Sequence, residues 1–121
     1  MNIRPIRCEE AAIRVLAEPD HIPVEGNACV SGDDDFDREV EHNVLCRLQH
    51  GDVWAWAAVT IGVVWGQFEG RAYLGCCSYA DENDFRQPCG YFDDMVAESL
   101  DELNRTVSEA YQQMKEREMA A

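Results

Sequence analysis

The stretch Val53-Trp-Ala-Trp-Ala-Ala-Val-Thr-Ile-Gly-Val-Val-Trp65 decides how this chain is read. It is crowded with β-branched and aromatic residues and has no helix cap before it, so it reads as strand. One alternate row is Val53, Ala55, Ala57, Val59, Ile61, Val63 and Trp65. The other is Trp54, Trp56, Ala58, Thr60, Gly62 and Val64. Both rows are largely apolar, which predicts a central strand covered on both sides, at least in part. Gly66-Gln-Phe-Glu-Gly70 supplies a turn, and Arg71 to Tyr79 returns as the second arm of an antiparallel hairpin over residues 53–79. Between Val53 and Ala80 only Glu69 and Arg71 are ionised.

Working outward, the polar connection Ala80–Gly90 leads to a helix predicted over Tyr91–Glu116. Its apolar stripe is Phe92, Val96, Leu100, Leu103, Val107, Ala110 or Tyr111, and Met114. Upstream, Phe36, Val40, Val44, Leu45 and Leu48 recur at three- and four-residue steps, predicting a helix over Asp34–His50 that Gly51 stops. Ser31-Gly-Asp-Asp before it has the spacing of a capping box. Arg7–Glu18, with Ala12, Val15 and Leu16 on one side and Pro19 after it, reads as a short first helix. Two strands alone make a marginal sheet, so a third is expected near Asn27–Val30. The whole, residues 1–121, reads as a single acidic α+β domain in which about three helices cover a small antiparallel sheet.

At 121 residues and 46% apolar content the chain has the means to bury a core. Its charge is the outlying property: ten cations against 24 carboxylates, a net of −14. That argues against direct nucleic-acid binding, which draws its affinity from cations replacing phosphate counterions, and against docking on an anionic membrane. No apolar run reaches the roughly 18 residues of a membrane span. Met1-Asn-Ile-Arg-Pro-Ile-Arg lacks the apolar segment of a signal peptide, so a reducing cytosol is the expected compartment.

The six cysteines are therefore expected as free thiols. No C-x-x-C pair occurs. The nearest approach to a ligand set is His42-x-x-x-Cys46-x-x-x-His50, with a fourth ligand to come from Cys76, Cys77 or Cys89. This defines an alternative reading, a zinc- or thiol-dependent regulatory protein; the main reading needs no cofactor. Neither G-x-G-x-x-G nor a P-loop is present. Asp33-x-Asp35-x-Asp37 fails as a calcium loop, because Arg38 stands where Gly is needed and Val44 where Glu is needed. The expectation is binding without catalysis.

The negative charge is gathered into two runs. Residues 33–41 carry a net of −5 and residues 81–102 a net of −7. Asp33, Asp34, Asp35, Asp37 and Glu41 from the first, with Asp94, Glu98, Asp101 and Glu102 from the second, are the candidate partner-binding residues. Such carboxylates imitate the phosphates of nucleic acid before a basic groove, and association of that kind is fast and salt-sensitive. Trp54, Trp56, Phe68, Tyr73, Tyr79 and Tyr91 are the aromatic residues that would add specificity where they reach the surface.

Three segments carry a resemblance. Gly51-Asp-Val-Trp-Ala-Trp-Ala, Tyr73-Leu-Gly-Cys-Cys-Ser-Tyr and Tyr91-Phe-Asp-Asp-Met-Val-Ala-Glu-Ser-Leu are similar to those of small acidic proteins carried by bacteriophages and other mobile elements. The resemblance implies an anti-CRISPR or anti-restriction inhibitor in a bacterial host cell. Its partner would be a basic nucleic-acid-binding host protein such as a CRISPR effector or restriction complex. No chemistry attaches to these motifs and no residue role is carried over. The remaining alternative is an acidic protein-interaction module without nucleic-acid mimicry.

Overall fold

The computed structural model describes residues 3–120. In chain order it contains β1 (Ala12–Pro19), α1 (Asp34–Gln49), β2 (Ala57–Trp65), β3 (Phe68–Cys77), the short α2 (Glu82–Phe85) and α3 (Tyr91–Ala120). The strands form one antiparallel sheet in the order β1-β2-β3. The fold is α+β, with three strands and three α-helices among the described residues.

The hairpin and the last helix form, but with other bounds than expected. Val53–Ala55 make a 3-10 turn in which the Asp52 side chain caps the Trp54 amide, so β2 starts only at Ala57, and α3 runs on to Ala120. Gly66 takes a left-handed φ of +59°, so Trp65 pairs directly with Phe68 across a two-residue turn, shorter than the five-residue turn expected. Ala57, Val59, Ile61 and Val63 are buried against Met95, Val96 and Leu103 of α3. The contact between α3 and β3 is close enough to need glycine. A Cβ on Gly70 would lie 1.9 Å from the Ser99 carbonyl oxygen and 2.6 Å from the Leu103 nitrogen. Ser99, fully buried at this crossing, donates its hydroxyl to the Met95 carbonyl at 2.7 Å.

Two further expectations are corrected. Residues 12–19 form β1, not a helix, because Ile13, Val15 and Ala17 pair with Val63, Ile61 and Val59 and pack on the same core. The helical spacing of Ala12, Val15 and Leu16 is outweighed by that pairing, and Leu16 is left exposed. The third strand is therefore β1, and residues 27–30 form none. β2 is central and covered in part on both sides, as expected, with one face fully buried and the other half-buried. Ala58, Thr60 and Val64 on its other face are half-buried, and Leu16 and Tyr73 beside Thr60 are exposed.

The segments 51–57, 73–79 and 91–100 meet at one end of the sheet. Trp54, Tyr79 and Phe92, one from each, surround the buried Phe85 of α2 at ring-centroid distances of 5.4, 5.2 and 5.8 Å. This cluster seats the start of α3, and the polar connection 80–90 supplies its centre as the short helix α2. Arg47 of α1 joins it by donating to Asp52 at 2.8 Å and to the Tyr79 carbonyl at 2.5 Å. α1 itself packs over a second, smaller core of Val24, Val44, Ala55 and Trp56. Of its expected stripe only Val44 is fully buried, and Phe36 is exposed.

Candidate functional site

The first acidic run folds largely onto itself. Asp33 is the N-cap of α1, accepting from the Asp35 and Phe36 amides at 3.1 and 3.2 Å. Ser31, expected to be the capping hydroxyl, instead donates its Oγ–H to Asp37 at 2.6 Å and its amide to the same carboxylate at 3.0 Å. The Ser31 hydroxyl and amide hold the Asp37 carboxyl below the usual carboxylate range, with the Cys29 thiol contributing; the same contact pushes that thiol up. Glu41 accepts the Gly26 amide at 3.0 Å. Asp33, Asp37 and Glu41 thus fasten the loop 26–33 to the helix, while Asp34 and Asp35 are exposed beside them.

The second run behaves differently. Asp94, Glu98 and Asp101 are exposed on the side of α3 away from the sheet, and Glu102 is half-buried. None of these four makes a side-chain hydrogen bond or ion pair among the described residues. Tyr91, 59% exposed, starts the same stripe: Tyr91, Asp94, Glu98 and Asp101 follow at steps of three and four, one above the other on the helix surface. The arrangement is an aromatic ring followed by three carboxylates on a rigid rod.

The other aromatic candidates divide. Trp56 is buried and donates its ring N–H to the Ile22 carbonyl at 2.7 Å, Trp54 and Tyr79 are half-buried in the aromatic cluster, and Phe68 stacks on Trp65. Only Tyr73 and Tyr91 of the six are exposed, and Tyr73 lies on the open sheet face.

The alternative ligand set does not assemble. His42 Nε2 and Cys46 Sγ are 3.5 Å apart, as their one-turn spacing requires, but His50 Nδ1 engages the Cys46 carbonyl at 2.7 Å. Cys77 is buried, with its sulfur beside the Leu74 and Gly75 carbonyls. No cluster of three His, Cys, Asp or Glu fit to hold a metal occurs among the described residues.

One carboxylate outside both runs was not anticipated. Asp20, with its side chain 2% exposed, accepts the Cys76 amide at 2.7 Å and the Ile22 amide at 3.0 Å. These donors hold it below the ordinary carboxylate range. Cys76 has a φ of +56° in a bulge where two residues of β3, Gly75 and Cys76, stand against one of β2, Ala58. Asp20 therefore locks the end of β1 to an irregular edge of the sheet. The adjacent Cys77 thiol is pushed up to about 11 by burial and by the Asp20 charge.

No family model matches the chain, and no curated protein or solved structure matches it. Among the described residues no helix is long and apolar enough to cross a membrane.

Proposed function

We propose that the protein is a non-catalytic inhibitor that works by binding, laying the outer face of α3 into a basic nucleic-acid-binding groove of a bacterial host defence protein. A CRISPR effector or restriction complex in the cytosol is the class of partner. The observation that carries this is the stripe Tyr91, Asp94, Glu98 and Asp101, exposed, cation-free along its length and engaged by no side chain or amide among the described residues.

Magnitudes support a charge-led encounter. Residues 93–102 hold five carboxylates over about 13.5 Å of axis at 1.5 Å per residue. Duplex DNA presents about eight phosphates over that length. The helix reaches more than half the charge density of the natural ligand, enough for long-range attraction to a groove lined with Arg and Lys. Tyr91 adds an aromatic anchor at one end, the residue type that dominates binding energy where it is desolvated. The phage or mobile-element origin implied by the three sequence segments fits this role, and the charge fits it independently.

Affinity capture from bacterial lysate at low and high salt, followed by competition with duplex DNA, tests the proposal. The expected partner is a basic nucleic-acid-binding protein released by salt and displaced by DNA. Reversing Asp94, Glu98 and Asp101 to Lys should weaken capture by about a hundredfold, since like charge then meets like. Retention of the partner by that variant would sink the proposal.

A further inference from the structure

Past Val107 the inward stripe of α3 leaves the sheet. Leu103 is fully buried, yet Met114, three turns on, is 71% exposed, and the helix continues about 20 Å beyond Val107. Beneath this overhang lies a groove of about 380 Å³ with an almost wholly apolar lining. Its floor includes Trp65 and Phe68 at the hairpin tip, and its wall is Val107, Ala110, Tyr111 and Met114. Trp65 is 41% exposed there. The two charges on its rim, Arg4 and Glu10, neutralise each other at 2.6 Å.

Charge leaves this end of α3 as the place where a second copy meets least repulsion. Residues 105–119 hold three cations, Arg105, Lys115 and Arg117, and three anions, Glu109, Glu116 and Glu118, a net of zero in a chain of −14. A second copy is repelled by the acidic runs and meets no net charge on this helix end. We propose that the groove seats a second copy of this chain, the two α3 ends crossing antiparallel at Met114 about a two-fold axis. The patch is then self-complementary and the assembly closes at two copies. Residues three before and three after Met114 face each other, which brings Arg117 of each copy towards Tyr111 of the other, a cation–π pairing.

Area sets the strength. Covering about 20 Å of helix and the adjoining hairpin tip removes roughly 500 Å² per copy, or about 1,000 Å² in all, the lower bound for a specific interface. The dimer is therefore weak and concentration-dependent. This inference goes beyond the acidic-face reading and uses different residues, so the two stand or fall separately.

Sedimentation equilibrium of the full chain from micromolar to millimolar concentration, at low and high salt, is the test. The mass should rise towards twice 13.7 kDa, and salt should strengthen association by screening the repulsion between two chains of −14. That is opposite in sign to the salt effect on capture of a basic partner. Met114→Glu should weaken the dimer by at least about tenfold with circular dichroism unchanged, since the side chain is exposed in the monomer. Gln112→Glu, an exposed position on the outer side of the same turn, should leave the dimer within about twofold. A wild-type chain that stays monomeric throughout overturns the proposal. So does a dimer that Met114→Glu leaves intact, or one that salt dissociates.

Discussion

At the start of α1, three of six carboxylates between residues 33 and 41 are engaged by the protein's own amides and hydroxyl. At the start of α3, the five between 93 and 102 are engaged by nothing among the described residues. The cause is how each helix is held. α1 rests on a core of four buried residues and needs its loop fastened, so Asp33, Asp37 and Glu41 serve as fasteners. α3 is clamped along its other face by Met95, Val96, Ser99 and Leu103 and by the aromatic cluster at its start. A helix that secure carries five like charges without using them. Availability of charge, and not its density in the chain, separates the proposed docking face from scaffolding.

The comparison breaks first where α3 meets the sheet. Gly70→Ala drives a methyl group into the backbone of α3 at Ser99 and Leu103, and neither backbone atom has room to yield. The expected loss is about 3 kcal/mol or more, measured by urea unfolding, with the acidic face lost as α3 lifts. A variant as stable as the wild type would show that α3 is not locked by this crossing.

Next in size is the Asp20 lock. Asp20→Asn replaces one acceptor oxygen with a donor facing backbone amides and should cost about 1–2 kcal/mol. Its pH signature follows from the depressed pKa of both Asp20 and Asp37. Their contribution is complete above the ordinary carboxylate value of 3.8 and is lost as pH falls through the lower folded values. Acid titration of stability should therefore fall more steeply below pH 3.8 in the wild type than in Asp20→Asn. Equal slopes would show that Asp20 is not stabilised as a carboxylate.

These locks also mark what could be read from the chain beforehand. The hairpin and α3 were legible because their apolar residues keep one period for nine residues or more. β1 was not. Over eight residues Ala12, Val15 and Leu16 fit a helix as well as Ile13, Val15 and Ala17 fit a strand, and the choice is made by β2, more than 35 residues away. The stripe Asp94, Glu98, Asp101 follows from index arithmetic, and Tyr91 was visible as its i−3 neighbour. The duty of Glu41 was hidden, because it depends on a loop that returns Gly26 across 15 residues, whereas Asp33 and Asp37 act locally and were masked by Ser31, whose hydroxyl has the spacing of a cap. His42 and Cys46 were legible as neighbours for the same reason as the α3 stripe, whereas no local rule brings a third ligand to them.

The smallest effects carry the sharpest contrast, because their signs differ. Asp33→Ala removes the acceptor of two amides at the first turn of α1 and should cost about 1 kcal/mol. Glu98→Gln with Asp101→Asn removes three like-charge neighbours on α3, the pairs 94–98, 98–101 and 98–102, each worth a few tenths of a kcal/mol. Asp94 is left in place because a carboxylate in the first turn is favoured by the helix dipole. Asp101→Asn also gives up the attraction to Arg105 one turn on, so the double variant should gain only about 0.3 kcal/mol of stability at low salt, shrinking as salt is added, while losing affinity for a basic partner. Thermal melts at two salt concentrations measure the first and capture measures the second. Stability and binding moving in opposite directions is what a face kept for a partner requires; a double variant that loses stability would place those carboxylates with the fasteners of α1.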